Sequence, residues 1–245
     1  MVSPASAPRP LSLLAFDTAT ERMHVGVAVG EQVWLHEGAG GAQASSRLIP
    51  TALQLLADAG VALHALDAIA FGRGPGAFTG LRTACSVAQG LALGAGKPVL
   101  PIETLLAVAE DAHQRRGCSD LWVAMDARMD EVYGAHYRRV SGHWQELVAP
   151  ALYTLDALQA RWQAQAPLCV AGSAPAAFGA RLRCGAAQIV ADASPAAAAL
   201  LSVARALWAR GAAVDAALAL PLYLRDKVAL TIDEREAAKA ATAVS

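Results

Sequence analysis

The chain has 245 residues, a formal net charge of −1 at pH 7 and 55% hydrophobic residues. This length suits one large domain or two of ordinary size. A near-neutral chain exerts no general attraction on nucleic acid, because phosphate binding requires clustered cations. The apolar stretch 193–204 is too short to span a bilayer before Arg205 interrupts it, and residues 1–10 lack the apolar core of a signal peptide. We therefore expect a two-part protein that works in the cytoplasm, without a membrane.

The first predicted elements are three strands and a helix. Residues 11–39 contain three runs of β-forming residues separated by turn residues, which predicts an antiparallel meander. Ser45 and Ser46 can cap a helix whose apolar residues recur at helical spacing until Gly60. This helix would cross over one face of the sheet.

A glycine-rich string, GRGPGAFTG, occupies residues 72–80, between a short strand at 66–71 and a second helix. Such a loop can present backbone amides and a helix N-terminus to an anion. Equally, it can be a tight connector in which several glycines take positive φ and Phe78 plugs the core. The sequence leaves both interpretations open. After a strand at 98–102, Thr104 can cap a third helix.

Both halves of the chain carry the same pattern. The segment LLAFDTATERMHVGVAV, which contains Asp17, resembles WVAMDARMDEVYGAHY, which contains Asp126. Two β-β-β-α-β-α units predict a duplicated α/β fold with a cleft between the halves, by analogy with the actin, sugar kinase and chaperone superfamily. Two unrelated lobes that share a hairpin aspartate are the alternative. The predicted divisions are a flexible tail at 1–10, actin-like subdomains at 11–115 and 116–232, and a C-terminal tail at 233–245.

Asp17, Thr18 and Thr20 form a candidate phosphate-binding turn. In that superfamily the aspartate of the first hairpin holds a hydrated metal, and the amides and hydroxyls of the turn bind phosphate. The alternative is that these side chains only satisfy the backbone of the hairpin. The turn after Asp126 is a poorer candidate, because Asp130 would repel a phosphate.

The helix after the glycine string has no formal charge from Thr83 through Gly96. Small or apolar residues nearly all round it indicate that both of its sides are covered. One side is expected to face the core and the other a partner, together with the crossover helix at 45–59. A helix buried wholly within the monomer is the alternative. The residues assigned to this interface are Arg47, Leu48, Thr51, Arg82, Cys85, Gln89 and Leu93.

Four strings resemble the TsaB (YeaZ) family over nearly the whole chain: FDTATE, FGRGPGAFTGLR, AMDARMDEVY and PLYLRDKVA. The resemblance implies an actin-like fold and a non-catalytic subunit of the machinery that attaches a threonylcarbamoyl group to the adenosine next to the anticodon of tRNA. It implies as partners the catalytic paralogue TsaD, which this subunit activates, and the TsaE ATPase. It further implies a homodimer when alone and contact with tRNA only through the complex. No cofactor would be required, although ATP or ADP could occupy a degenerate cleft or the complex interface.

The catalytic relatives bind a metal through an HxxxH pair on the first crossover helix. The corresponding stretch here is AQASSRLIP, and Ala44 stands where some TsaB relatives keep one histidine. No two of the six histidines have the i, i+4 spacing that places two imidazoles on one helix face. The four cysteines have no zinc-like spacing either. We therefore expect no metal site and no complete active centre.

Two enzymatic alternatives are compatible with parts of the sequence. An active phosphotransferase of the sugar or acetate kinase kind fits the Asp17 turn and the duplicated fold. It would also need a second phosphate loop and a carboxylate base, for which Asp126 is the only obvious residue. A peptidase is disfavoured, because no Ser-His-Asp or Cys-His arrangement can be assembled.

Overall fold

The structure, a computed structural model, describes residues 9–225. Its first half contains three consecutive strands followed by alternating helices and strands. These elements are β1 (Ser12–Asp17), β2 (Arg22–Val29), β3 (Gln32–Ala39), α1 (Ala44–Asp58), β4 (Ala68–Gly74), α2 (Phe78–Ala95), β5 (Val99–Glu103) and α3 (Thr104–Arg116). The predicted meander and crossover helix are confirmed, and β4 extends into the glycine string.

The second half repeats this order of elements. They are β6 (Asp120–Asp126), β7 (Glu131–Val140), β8 (His143–Thr154), α4 (Leu155–Ala164), β9 (Cys169–Ala171), α5 (Ala174–Phe178), β10 (Gln188–Val190) and α6 (Ala197–Ala209). Helix α4 begins after Thr154, whose side chain accepts a hydrogen bond from the backbone N–H of Ala157.

The two sheets share one topology. The first has the strand order β3-β2-β1-β4-β5, and the second, read from the matching edge, has the order β8-β7-β6-β9-β10. In each sheet the first three strands pair antiparallel, whereas the fourth and fifth pair parallel. The predicted duplicated α/β fold is confirmed, and the shared order favours duplication over two unrelated lobes.

Helices α3 and α6 join the two halves. Leu105 and Val108 of α3 belong to the apolar core under the second sheet, where they join Leu121 of β6. Leu200 of α6 belongs instead to the core of the first sheet, where it joins Leu13 of β1. Each half therefore donates its last helix to the other core. The division at 115/116 remains a prediction, and of the predicted tails and second subdomain, residues 1–8 and 226–245 lie outside the described residues.

Two of the predicted helix caps are wrong. The hydroxyls of Ser45 and Ser46 donate to the carbonyls of Ala42 and Gln43, and α1 begins at Ala44 without a side-chain cap. The Thr104 hydroxyl makes tertiary hydrogen bonds instead of capping α3, which follows Glu103 without a side-chain cap. In each case the hydroxyl group forms a hydrogen bond with another group within reach instead of capping the helix.

Between residues 9 and 225, no helix combines the length and the apolar character needed to cross a membrane. The most apolar helices, α2 and α6, are instead packed on the sheets.

Candidate functional site

Asp17 lies at the end of β1 and is completely buried. Its Oδ1 accepts a hydrogen bond of 2.6 Å from the backbone N–H of Ala19, and its Oδ2 accepts one of 2.7 Å from the hydroxyl of Thr104. Burial raises the pKa of Asp17 to about 6, although both hydrogen bonds oppose this rise. The carboxyl group therefore connects the first hairpin to α3 and does not face solvent.

Only one of the three predicted phosphate-turn residues lines the cleft between the halves. Thr18 is buried, and its hydroxyl donates to the carbonyl of Gly80 at 2.7 Å. The Thr20 hydroxyl donates to the carbonyl of Arg22 at 2.9 Å, at the edge of the cleft. The side chains of Asp17 and Thr18 are both engaged in internal hydrogen bonds and do not line the cleft, so their assignment to a phosphate-binding turn stays a prediction.

The glycine string packs directly against this hairpin. A Cβ atom added at Gly72 would lie 1.8 Å from Oδ2 of Asp17, and one added at Gly80 would lie 1.9 Å from the carbonyl oxygen of Thr18. Within the string only Gly74 has a positive φ, 106°. These contacts favour the interpretation as a tight connector. Phe78 does not plug the core as that interpretation supposed, because its ring is half-buried against Tyr223.

The second hairpin has an unusual backbone. Arg128, Met129 and Asp130 have φ values of 63°, 55° and 58°, so three consecutive non-glycine residues are left-handed. Left-handed backbone costs an L-residue about 1–2 kcal/mol. The Asp126 carboxylate caps this turn by accepting a 2.8 Å hydrogen bond from the N–H of Arg128. We call residues Ala127–Glu131 the Arg128 turn.

The side chain of Arg128 reaches across the cleft. It pairs with Glu21 of the first hairpin, and its Nη1 lies 3.3 Å from Oδ2 of Asp126. The Arg128 turn therefore places a guanidinium in the cleft, where it is paired with one carboxylate from each half. The sequence indicated a poor phosphate loop here, but it contained no signal that Arg128 would join the two hairpins.

The cleft has a volume of about 470 Å³ and is lined by both halves. Its charged side chains are Glu21, Arg22, Asp126, Arg128 and Asp192. Arg22 is paired with Glu37 outside the cleft, and Asp192 is paired with Arg115 of α3. Carboxylates outnumber cations, and both cations are already paired, so the electrostatics disfavour a polyphosphate.

Between residues 9 and 225, no group of three or more His, Cys, Asp or Glu side chains is arranged to hold a metal ion. Asp17, the carboxylate expected to hold a hydrated metal in a kinase-like relative, is enclosed by Ala19, Gly72 and Thr104.

The predicted interface residues divide into surface and core. Arg47, Arg82 and Leu93 are exposed, and Thr51 and Gln89 are half-buried. Leu48 and Cys85 are buried in the first core, so their assignment to a contact surface is wrong. Burial raises the pKa of the Cys85 thiol to about 12, with the nearby charge of Asp17 a second cause.

The sequence prediction missed two apolar residues of this surface. Ile49 and Leu53 of α1 are 40% and 48% exposed, while Leu93 of α2 is 62% exposed. Ile49 and Leu53 follow the buried Leu48 and Ala52 by one position, which turns them by about 100° around the helix axis. The apolar pattern of α1 contains both residues, but it gives no signal of which of its members face outward. We call Ile49, Leu53 and Leu93, with the flanking Arg47 and Arg82, the apolar helix face.

Comparison with known proteins identifies relatives over most of the chain. A family model described as TsaD, tRNA N6-adenosine threonylcarbamoyltransferase, matches residues 32–231. The Escherichia coli K12 protein named tRNA threonylcarbamoyladenosine biosynthesis protein TsaB is 34% identical over 228 residues, which cover 89% of this chain and 96% of that protein. The Haemophilus influenzae protein of the same name is 44% identical over 124 residues, which cover 50% of this chain and 52% of that protein.

A solved structure of YeaZ from Pseudomonas aeruginosa is 39% identical. It aligns with a TM-score of 0.79 and covers 87% of this chain and 100% of its own. Both the E. coli protein and the P. aeruginosa structure cover more than four fifths of this chain at more than 30% identity, and the structure aligns with the duplicated fold. The chain therefore belongs to the TsaB (YeaZ) family.

Proposed function

We propose that this chain takes part in tRNA threonylcarbamoyladenosine biosynthesis as a non-catalytic subunit that binds and activates a TsaD-type catalytic subunit. The part in the pathway follows the names of its relatives. The cleft supports the non-catalytic role, and the apolar helix face supports the association. In this proposal the chain works in the cytoplasm, and tRNA and the TsaE ATPase meet it only within the complex.

The observation that carries the non-catalytic role is the bridge from Arg128 to Glu21 and Asp126. A phosphotransferase needs an open phosphate site and a carboxylate that can hold a metal near the transferred group. Here the phosphate site contains a paired guanidinium, and Asp17 is buried behind the hairpin. The bridge therefore supports a scaffold over the sugar or acetate kinase alternative. ATP or ADP has no chemical role in this proposal, even if one binds at a subunit interface.

The apolar helix face supports the association. Large exposed apolar side chains on adjacent helices are typical of surfaces that bind another protein. Because TsaD is a paralogue with the same fold, one face could form a homodimer in the isolated protein and a pseudo-symmetric heterodimer in the complex. Each interface would bury roughly 1,200–2,000 Å² in total. The two pairings would then compete for the same residues.

The test uses charge substitutions on α2. Leu93→Asp and Gln89→Glu would place a carboxylate in the interface, where an unpaired buried charge costs about 3 kcal/mol or more and weakens binding by about 100-fold or more. Leu168→Asp is the matched control, because Leu168 is 72% exposed in the second half. Circular dichroism checks folding, sedimentation measures self-association, and a pull-down measures binding to TsaD.

A reconstituted tRNA modification assay connects association with function. We expect Leu93→Asp to reduce modification strongly, whereas Leu168→Asp and Asp17→Asn retain it. If Leu93→Asp folds and binds TsaD with unchanged affinity, the partner surface lies elsewhere. ATP turnover by the isolated chain would favour the kinase alternative, and peptide cleavage would favour a peptidase.

A further inference from the structure

The last described segment of the chain crosses from the first half to the second. The N–H of Leu222 donates to the carbonyl of Arg73 in β4 at 2.7 Å. The ring of Tyr223 packs on Phe78, at the start of α2, with 5.1 Å between the ring centroids. We call residues Leu222–Arg225 the strap, because its first residues are fixed to the first half.

The far end of the strap holds the Arg128 turn. The Arg225 guanidinium donates to the carbonyls of Ala127 and Arg128 at 3.0 and 3.3 Å and pairs with Glu131 at 2.7 Å. Only 15% of the Arg225 side chain is exposed, so most of the guanidinium is enclosed by the protein. They provide a reason why three left-handed residues persist, since strained backbone is kept where surrounding contacts overdetermine it.

Arg82 connects the strap to the apolar helix face. Its guanidinium lies 3.8 Å above the centre of the Phe78 ring, and its Nε donates to the Tyr223 hydroxyl at 3.2 Å. Within residues 9–225, its two terminal nitrogens make no hydrogen bond or ion pair. A carboxylate of a partner could therefore bind these nitrogens while Nε keeps its contact with Tyr223.

A pocket of about 250 Å³ borders the strap. It is lined by Leu81 and Tyr133 from the two halves and by Tyr223, Leu224 and Arg225 of the strap itself. A segment that borders such a space can shift without displacing a fully packed core. The contacts thus run without interruption from α2 through the strap and the Arg128 turn to Glu21 at the cleft.

We propose that the strap couples association at the apolar helix face to the conformation of the Arg128 turn, with a partner carboxylate on Arg82 tightening the strap and fixing the turn. The proposal rests on the proposed function, because it takes the partner surface from there. In the free chain the turn opens and closes. In the assembled complex it is held, and Arg128 stays paired with Glu21 across the cleft.

Hydrogen exchange measures this coupling directly. The N–H of Ala127 donates to the carbonyl of Glu131 at 2.9 Å, and the N–H of Glu131 donates to the carbonyl of Arg128 at 3.1 Å. Exchange at these two amides therefore reports opening of the turn. In the isolated chain, Tyr223→Phe and Arg225→Lys should speed it by about tenfold, because a local opening free energy falls. Arg183→Lys, on the exposed surface of the second half, is the control.

The second measurement adds the companion TsaD subunit. We expect association to slow exchange at Ala127 and Glu131 by about tenfold in the wild type. Tyr223→Phe, which keeps the aromatic ring, should still associate but lose this protection. Association without any change in exchange would overturn the coupling and leave the proposed function intact. No association of the wild-type chain would overturn both. Unchanged exchange in the isolated Tyr223→Phe chain would also overturn the coupling.

Discussion

The Thr104 hydroxyl donates a 2.7 Å hydrogen bond to Oδ2 of Asp17, and it accepts one of 3.2 Å from the N–H of Gly74. One hydroxyl group thus joins the first hairpin, the glycine string and the start of α3. The Asp17 carboxyl group therefore faces other groups of the protein, and its titration should appear in the stability of the fold.

Asp17→Asn should remove a pH-dependent penalty. Burial raises the pKa of Asp17 from 3.8 to about 6, so the folded protein holds this proton more tightly than the unfolded chain. The resulting stabilisation is complete below pH 3.8 and is lost as the pH rises to about 6. Between pH 4 and pH 7, the free energy of unfolding of Asp17→Asn should therefore rise by about 2 kcal/mol relative to the wild type.

Urea unfolding across this pH range tests the Asp17 prediction. Asp58→Asn, at the exposed end of α1, controls for the loss of one acidic residue. A difference between Asp17→Asn and wild type that stays constant with pH would contradict it.

Two glycines of α2 should respond to alanine in opposite directions. At Gly80 a new Cβ would lie 1.9 Å from the carbonyl oxygen of Thr18, whereas at Gly90 nothing lies within 4 Å. Gly80→Ala should therefore lower the free energy of unfolding by about 2–3 kcal/mol, as overpacking does. Gly90→Ala should raise it by about 0.5–1 kcal/mol, because alanine is the better helix former. Chemical unfolding of both variants at low protein concentration measures the contrast, and equal effects would argue against the tight contact.

Glu110→Gln should weaken the junction between the halves. Glu110 of α3 is buried. Its Oε1 accepts hydrogen bonds from Ser202 and Gln114, at 2.7 and 2.9 Å. Its Oε2 accepts hydrogen bonds from Arg139 and Trp144, at 2.6 and 2.7 Å. Burial favours a raised pKa, but these hydrogen bonds and the Arg139 charge outweigh it and lower the pKa.

Glutamine would replace one accepting oxygen by an N–H₂ group that faces other donors. This should lower the free energy of unfolding by about 2–4 kcal/mol. For the wild type, a lowered pKa means that the stabilisation is present above pH 4.5 and is lost at lower pH. Thermal unfolding of Glu110→Gln, with Gln114→Ala as a comparison that removes only one donor, measures the loss. A variant as stable as wild type would show that the network is dispensable.

Substitutions at Arg128 should separate its backbone from its side chain. Arg128→Ala and Arg128→Gly both remove the ion pair with Glu21. This ion pair is exposed and contributes less than about 1 kcal/mol to the free energy of unfolding. Only alanine retains the cost of the left-handed φ of 63°. The glycine variant should therefore be more stable than the alanine variant by about 1 kcal/mol. At Arg47, within α1, the order should reverse. Denaturation midpoints of the four proteins give the comparison, and the same order at both sites would argue against strain at Arg128.

Much of the fold could be predicted from local patterns. Strand, turn and helix periodicities, together with the repeated aspartates at 17 and 126, identified two α/β units in the right order. These patterns are readable because side-chain spacing along one element depends only on the geometry of that element. The family strings were equally local, and the family they indicated is the one to which the chain belongs.

The candidate site could not be predicted in the same way. The main contacts of the site join residues that are distant in the sequence. They are the enclosure of Asp17, the contact of Gly80 with Thr18, the bridge from Glu21 to Arg128, and the hydrogen bonds from Arg225 to the Arg128 turn. The phase of α1, which sends Leu48 inward and Ile49 outward, was also set by packing on the first sheet. Periodicity determines which residues share a face of an element. Only tertiary packing decides which face is covered and which polar groups find partners there, because those contacts depend on the approach of segments that the local sequence does not encode.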